Sequence, residues 1–150
     1  QQQANIRKIQ SQWVKREDIS LLSRWLRMHN VLRHKFGLCH GTRRGLEQQW
    51  FLQELGWENG TGVVLGTEIS ATASHFANTI QWDFHDVRDE WVGSADFVYS
   101  NALDHSFNPK LALTQWIKCL GPDGVLLLEH SANNEYLEEF NGDIFAATFS

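Results

Sequence analysis

The sequence predicts an α/β fold with a doubly wound, mainly parallel sheet that follows N-terminal helices. Short apolar runs alternate with helix-like segments, which is the pattern of βαβ units. The runs are nearly continuous rather than alternately polar, so we expect both faces of the sheet to be covered, as in parallel sheets. A length of 150 residues, 42% of them hydrophobic, suits one compact domain.

The N-terminal part of the chain predicts two amphipathic helices between Ile6 and about Leu32. Apolar residues recur there at three- and four-residue steps among Lys and Arg. Asp18 and Ser20 are candidate caps between the two helices. We therefore divide the chain into a helical cap, residues 1–35, and an α/β core, residues 36–150.

Five apolar runs in the core predict its strands, at residues 36–39, 62–65, 79–82, 95–99 and 125–128. Helices are predicted over residues 46–55, ended by Gly56, and over residues 109–120, ended by the turn at 121–124. Residues 71–77 leave room only for a compact crossover. Residues 141–150 predict a loop and the start of a helix.

Composition excludes several classes of protein. With 2 Pro, 11 Gly and 12% aromatic residues, the chain is neither disordered nor fibrous in type. No apolar run approaches the roughly 18 residues of a membrane span, and the polar start is not a signal peptide, so we expect a cytoplasmic protein without a membrane partner. Cys39 and Cys119 have no CxxC spacing, which predicts reduced thiols and no zinc finger.

Charge is divided unequally along the chain. Residues 1–50 carry a net charge of about +7 and residues 51–150 about −12, within a total of −5. A basic N-terminal part raises nucleic acid, an acidic membrane or a charged small molecule as partners.

Polar residues follow each predicted strand, at the edge of the sheet where parallel α/β proteins bind ligands. The turn after the first strand contains Gly41 and Gly45, which let the backbone approach a ligand and present free N–H groups to it. Glu68 ends the second strand and is placed to accept hydrogen bonds from a ribose diol.

From about Phe36 to Ser131 the chain resembles the class I S-adenosylmethionine-dependent methyltransferases, which have a Rossmann-like sheet. Residues 39–45 (CHGTRRG) are similar to the glycine-rich first motif of this family, and residues 96–105 (DFVYSNALDH) are similar to its fourth-strand motif. Glu68 matches the ribose-binding acid, and Asp83 and Phe84 match the pair that flanks the adenine. Residues 120–127 (LGPDGVLL) are similar to the L-x-P-G-G turn into strand five, the most specific of these matches.

The resemblance implies an enzyme that binds S-adenosylmethionine and transfers its methyl group to an unidentified acceptor. The residues implied to bind the cofactor all lie at strand ends. They are His40, Gly41, Thr42, Arg43, Gly45, Glu68, Ile69, Asp83, Phe84, Ser100 and Asn101. In this family's usual arrangement the helices before Phe36 flank the mouth of the site, and their positive charge predicts an anionic acceptor.

The chain departs from the family pattern in two ways. Cys39 replaces the acid before the glycine turn and Arg43 replaces the middle glycine; Arg43 either reaches the cofactor carboxylate or points to solvent. Only about twenty residues follow Ser131, where the family adds a sixth and a seventh strand. We therefore expect the last strands to be missing and the sheet edge to be open, so that two copies could pair there as a homodimer.

Four histidines fall just after predicted strands: His40, His85, His105 and His130. His105 or His130 is the candidate general base for an acceptor that must lose a proton. Alternatively, these histidines hold a metal with Asp104 or Glu129, or they only cap strands and line the pocket. No HxxxH or similar spacing supports a metal, and we predict none.

Two further classes of function stay open. The basic stretch from Arg7 to Lys35 contains Trp13 and Trp25, a combination that binds nucleic acid in other proteins, although the helical spacing of both Trp residues favours packing in the core. The chain is alternatively a non-catalytic cofactor-binding partner subunit.

Overall fold

Six strands form one sheet in the computed structural model, which describes residues 14–130 and 143–148, with only the backbone of His130 and of residues 143–148. The strands are β1 (Phe36–His40), β2 (Val63–Glu68), β3 (Thr79–Gln81), β4 (Ala95–Ser100), β5 (Leu120–His130) and β6 (Asp143–Thr148). Their order in the sheet is β3-β2-β1-β4-β5-β6. Strands β1 to β5 are parallel, which confirms the doubly wound α/β fold.

The helices are α1 (Arg16–Met28), α2 (Leu46–Glu54) and α3 (Pro109–Cys119), with short 3₁₀ turns at Ala71–His75, Asp89–Trp91 and Leu103–His105. Predicted and observed bounds of α2 and α3 agree within one residue. The first predicted helix, around Ile6 to Trp13, lies outside the described residues. The prediction of caps at Asp18 and Ser20 is wrong, because α1 begins earlier and Lys15 is its N-cap.

The two faces of the sheet carry separate apolar cores. On one face, α1 and α2 pack on the sheet through Ile19, Leu26 and Phe51, which meet Phe97 and Tyr99 of β4. On the opposite face, α3 packs through Trp116 against a second cluster that includes Leu38, Val98 and Leu126. Neighbouring residues of one strand thus enter different cores, which explains the continuous apolar runs.

Strand β6 corrects the prediction for the end of the chain. Residues 143–148 form a strand antiparallel to β5, with Val125 opposite Thr148 and His130 opposite Asp143. A loop and helix start were predicted there, and β5 was expected at an open edge. The run IFAAT is short and mixed, so its pairing with β5, rather than its own periodicity, defines it as a strand.

Asp96, at the start of β4, fixes the entry into the sheet. Its buried carboxylate accepts hydrogen bonds from four consecutive backbone amides, those of Arg33, His34, Lys35 and Phe36, at 2.6–3.4 Å. Amide donors around a carboxylate stabilise its charged form. The acidic start of the fourth-strand motif therefore orders the segment between α1 and β1.

Both cysteines are free, as predicted, and the structure shows that both are buried. Burial raises the pKa of the Cys39 thiol, and nearby Glu47 raises it further. Burial raises the pKa of Cys119 to about 11. The thiols are therefore protonated at neutral pH and poorly nucleophilic.

Candidate functional site

The turn after β1 has the backbone geometry expected of a glycine turn, but its amides are already used. Gly41 and Gly45 have φ values of +72° and +70°. The amides of Gly41 and Thr42 both donate to the Thr67 carbonyl, at 2.9 and 3.0 Å, and the Gly45 amide donates to the Thr42 carbonyl at 3.0 Å. The prediction that Gly41 and Gly45 present free N–H groups to a ligand is therefore wrong, and the Thr42 amide is likewise paired.

The glycines permit close packing within the protein. A Cβ on Gly41 would lie 2.6 Å from Cβ of Ala102, and a Cβ on Gly45 would lie 2.7 Å from Oγ1 of Thr79. Gly41 thus brings the turn against the loop after β4, and Gly45 brings the start of α2 against β3. The sequence indicated that no side chain fits at Gly41 and Gly45. The structure shows that protein atoms occupy the space that a side chain would take.

His40 is not available to a ligand through its side chain. The residue is 2% exposed, and its ring stacks on Trp116 with centroids 5.2 Å apart. Its Nδ1 lies 2.9 Å from Thr67 Oγ1, and burial lowers the pKa of His40 to about 3. The imidazole is therefore a neutral core group, and its assignment to the cofactor site is corrected.

Ser100 also lies inside the protein. Its hydroxyl donates to the His40 carbonyl at 3.0 Å and accepts from the Ala102 amide at 3.0 Å. Since the residue is fully buried, the side chain ties the end of β4 to the end of β1 rather than lining a site. Its neighbour Asn101 is half-buried in the following loop.

Glu68 lies at the carboxyl end of β2, as predicted, and is 2% exposed. Its Oε1 accepts the Ser70 amide at 2.9 Å, and its backbone carbonyl accepts the Trp82 amide at 3.0 Å. The acid is thereby held between the ends of β2 and β3. An ionised carboxylate has further lone pairs with which to accept hydroxyl groups of a sugar.

A cleft of about 330 Å³ opens next to Ile69, the residue that follows Glu68. It is lined by residues that follow β2 or that end and follow β3: Ile69, Gln81, Trp82, Asp83 and Asp86. Ile69 and Asp83 were predicted site residues; Gln81, Trp82 and Asp86 were missed. The signal for them was present in the segment QWDFHD, whose acids and aromatics end or directly follow the third predicted strand.

Trp82, rather than Phe84, is the aromatic side chain of the cleft. The Phe84 ring is buried in the core of the α3 face, 5.3 Å from the Trp116 ring. The Trp82 indole donates to the Asp86 carbonyl at 2.9 Å and lies edge-on to Trp91. Arg88 lies 5.6 Å from the Trp82 ring, a cation–π distance. The Phe84 side chain therefore does not line this cleft, although the residue was predicted to flank the adenine.

Two other residues of the glycine turn, Thr42 and Arg43, have polar side-chain atoms that are buried. Thr42 is buried, and its Oγ1 has no hydrogen-bond partner among the described residues. Arg43 has a left-handed backbone, with φ of +51°, and a half-buried side chain whose Nε is shielded from solvent. Arg43 is therefore partly enclosed by the protein, and both alternatives for its guanidinium stay predictions.

The histidines that end or follow the strands lie in different surroundings. His105 is exposed, and its Nε2 is 3.8 Å from the equally exposed Asp104, so little holds the ring in place. Only the backbone of His130 belongs to the described residues, at the end of β5. The ordered histidine is instead His85, which lies between Asp83 and Ser106 with a distance of 2.6 Å on each side.

Several of the basic residues before β1 are engaged within the protein. Arg16 lies 3.4 Å from Glu54, Arg33 lies 2.8 Å from Asp123, and Arg27 donates to the Glu54 carbonyl. Trp25 packs against the core, as its spacing predicted, whereas Trp13 lies outside the described residues. Lys15 and Arg24 remain exposed on α1.

Within residues 14–130 and 143–148, no group of three His, Cys, Asp or Glu side chains is arranged to hold a metal ion. No helix in the same part of the chain is long and apolar enough to cross a membrane.

Comparison with known proteins gives structural matches without sequence matches. No family model matches the chain, and no curated protein sequence matches it. Many solved S-adenosylmethionine-dependent methyltransferases have the same fold. A Burkholderia thailandensis 1,6-didemethyltoxoflavin-N1-methyltransferase with bound S-adenosylhomocysteine matches 75% of this chain and 52% of its own, with 16% identity and a TM-score of 0.56.

Two further structures extend this likeness. A methyltransferase from Aquifex aeolicus matches 85% of this chain and 78% of its own, with 12% identity and a TM-score of 0.58. The plantazolicin methyltransferase BpumL matches 83% of this chain and 52% of its own, with 16% identity and a TM-score of 0.65. The chain thus spans about half the length of two of these three proteins. At such identities the likeness establishes the shared fold.

Proposed function

We propose that this chain binds S-adenosylmethionine at the carboxyl edge of its sheet and transfers the methyl group to an acceptor. The observation that carries the proposal is the cleft between the ends of β2 and β3, next to the buried Glu68, in the methyltransferase fold. A doubly wound sheet binds its ligand at this edge. The cofactor would supply a methyl group already activated by a sulfonium, so the protein's task is largely to position the acceptor.

The residues of the cleft suit the nucleoside half of this cofactor. Trp82 provides a fixed aromatic surface for a purine, and Asp83 and Asp86 provide acceptors for its amino group. Glu68 would accept the ribose hydroxyls. Because S-adenosylmethionine carries a net positive charge, the acidic surroundings also favour its binding over that of an anion.

The methionine half would be held differently from the usual pattern. The paired amides of Gly41, Thr42 and Gly45 are not available without opening the turn. Thr42 Oγ1, which is buried and unused within the described residues, is the group we assign to this half. Lys15 and Arg24 on α1 are the exposed cations that we assign to an anionic acceptor.

Substitution of Glu68 tests the proposal directly. Glu68→Gln preserves the size of the side chain but removes the charge, and we expect it to weaken binding of S-adenosylhomocysteine by about 1.5–3 kcal/mol, the scale of hydrogen bonds to a charged group. Isothermal titration calorimetry measures this as a rise in Kd of about 10- to 150-fold.

Glu58→Gln is the matched control, since Glu58 is exposed in the segment between α2 and β2, away from the cleft. Its Kd should equal that of the unchanged protein. If the unchanged protein gives neither binding heat nor a thermal shift with S-adenosylhomocysteine, cofactor binding itself is refuted. Equal Kd values for a folded Glu68→Gln variant and the control would refute the role of Glu68.

A second candidate function is a cofactor-binding subunit without catalysis. The occupied amides of the glycine turn favour it, because they alter the end of the site where the methyl group would lie. A labelled methyl group on S-adenosylmethionine shows whether methyl is transferred to protein, RNA or small-molecule extracts. Binding of S-adenosylmethionine without such transfer would distinguish this candidate from the enzyme.

A further inference from the structure

Three polar side chains beside the cleft form a continuous hydrogen-bonded chain. His85 Nδ1 lies 2.6 Å from Asp83 Oδ1, and His85 Nε2 lies 2.6 Å from Ser106 Oγ. The backbone amide of His85 also donates to Asp83 Oδ1, at 2.9 Å. A carboxylate on Nδ1 and a hydroxyl on Nε2 are the arrangement by which a histidine activates a serine as a nucleophile.

The imidazole is protected from water on its open side. His85 is buried, and the ring of Phe107 lies against it with centroids 3.8 Å apart. Phe107 is itself 76% exposed. The phenyl ring therefore shields the base and also offers an apolar surface to a compound that approaches Ser106.

Ser106 is half-buried and lies just before α3. The amide of Asn108 donates to its Oγ at 3.1 Å. A donor at this oxygen stabilises the negative charge that develops when the hydroxyl loses its proton. The same hydroxyl thus has a base on one side and a stabilising donor on the other.

We propose that Ser106 is an activated nucleophile that forms a covalent ester with electrophilic acyl or phosphonyl compounds bearing an apolar substituent. With an alkyl fluorophosphonate, the bond from Oγ to phosphorus forms and the phosphorus–fluorine bond breaks, so that fluoride leaves. The hydroxyl proton passes to His85 Nε2, and Asp83 stabilises the resulting imidazolium.

The neighbouring backbone slows the breakdown of the covalent ester. The amides of His105 and Ser106 donate to the carbonyls of Ala102 and Leu103, so neither serves as an oxyanion donor while the turn is closed. Loss of one such donor slows acyl transfer by about 100- to 1,000-fold in other enzymes. The same lack of a donor also slows formation of the ester, so we expect slow labelling and a long-lived adduct.

Labelling with an alkyl fluorophosphonate, followed by intact-mass and peptide mass spectrometry, tests the proposal. We expect one adduct per chain, located on Ser106, and none in Ser106→Ala. A general base contributes about 100- to 10,000-fold, so His85→Gln should slow labelling by at least about 100-fold. Asp83→Asn, which alters a half-buried group and endangers folding less than a change of buried His85, should also slow it.

Ser94→Ala is the matched control. Ser94 is likewise half-buried, but its hydroxyl donates only to the Trp91 carbonyl, at 2.8 Å, so its removal should leave the labelling rate unchanged. Circular dichroism establishes that each variant is folded. No adduct on the unchanged protein, an adduct on another residue, or unchanged labelling of folded His85→Gln and Asp83→Asn would each overturn the proposal. Since no cofactor is present in the experiment, none of these results bears on methyl transfer.

Discussion

His40 ends β1 and His85 follows β3 in the same sheet, yet their imidazoles have different surroundings. His40 is enclosed by Trp116, Phe84 and Trp91 and has one hydroxyl partner, Thr67. His85 has a carboxylate on one nitrogen and a hydroxyl on the other. The first is a neutral group of the core, and the second is equipped to accept a proton.

The burial of His40 predicts a dependence of stability on pH. An unfolded histidine takes up a proton as the pH falls through about 6.5, whereas burial lowers the pKa of folded His40 to about 3. The stabilisation that comes from burying neutral His40 is therefore complete above pH 6.5 and is lost as the pH falls towards 3. Between these values the free energy of unfolding should fall by about 1.4 kcal/mol per pH unit from this group.

Urea unfolding between pH 4.5 and 7 measures this slope. His40→Gln should lower stability at neutral pH and should lose this share of the slope, because no group at position 40 then titrates. His75→Gln, which removes an exposed imidazole, should keep the slope of the unchanged protein. An identical slope in His40→Gln would show that His40 titrates alike in the folded and unfolded chain.

At the scale of elements, the carboxyl edge is built by contacts between turns. The turn after β1 is held by the Thr67 carbonyl of β2, and Ser100 of β4 is bonded to the His40 carbonyl of β1. Gly41 allows the first turn to reach the loop after β4. The site thus depends on how three strand ends meet, which no single segment specifies.

A pair of glycine substitutions separates backbone strain from close packing. Gly41 and Gly56 have φ values of +72° and +70°, but a Cβ at Gly56 would meet nothing within 4 Å. Gly56→Ala should therefore lower the free energy of unfolding by only about 1–2 kcal/mol, the cost of a Cβ on a left-handed backbone. Gly41→Ala should cost about 1–3 kcal/mol more, because its Cβ would overlap Ala102.

Chemical denaturation measures both costs. Ala102→Gly combined with Gly41→Ala should recover the packing part of the loss and leave the backbone part. Equal losses for Gly41→Ala and Gly56→Ala would contradict the close approach of the two turns.

At the scale of the whole molecule, the sheet has one antiparallel strand at its far side. Strand β6 satisfies the backbone groups of β5 from Val125 to His130. An unpaired edge of this length is a template for association with another chain. The β5 edge is therefore covered by β6, and a homodimer through an open edge of the sheet stays a prediction.

Removal of residues 143–150 should restore that open edge. We expect a lower midpoint of thermal unfolding and self-association, measured by size-exclusion chromatography with light scattering. Removal of residues 149–150 alone keeps β6 and is the control. A monomer of unchanged thermal stability after the larger deletion would show that β6 contributes little to the sheet.

Short segments of the chain were enough to establish the class of the fold. Continuous runs such as VLLL at 125–128 are buried on both sides, and Pro109 and Gly56 are local signals for the ends of helices, so these elements could be predicted from the sequence. The sequence also located Glu68, Ile69 and Asp83 at the correct edge, because the carboxyl ends of parallel strands meet there. Strand β6 escaped prediction since its pairing partner, β5, defines it.

Tertiary contacts, by contrast, determine which polar groups face a ligand and which face the protein. At the carboxyl edge of the same sheet, His40 lies in a core and His85 lies in a hydrogen-bonded chain. The Ser106 that completes this chain is 21 residues from His85. The Trp residue of the cleft and the Phe residue of the core are separated by two positions. Burial and hydrogen-bond partners come from packing between distant segments, and these long-range contacts are what a local sequence pattern does not contain.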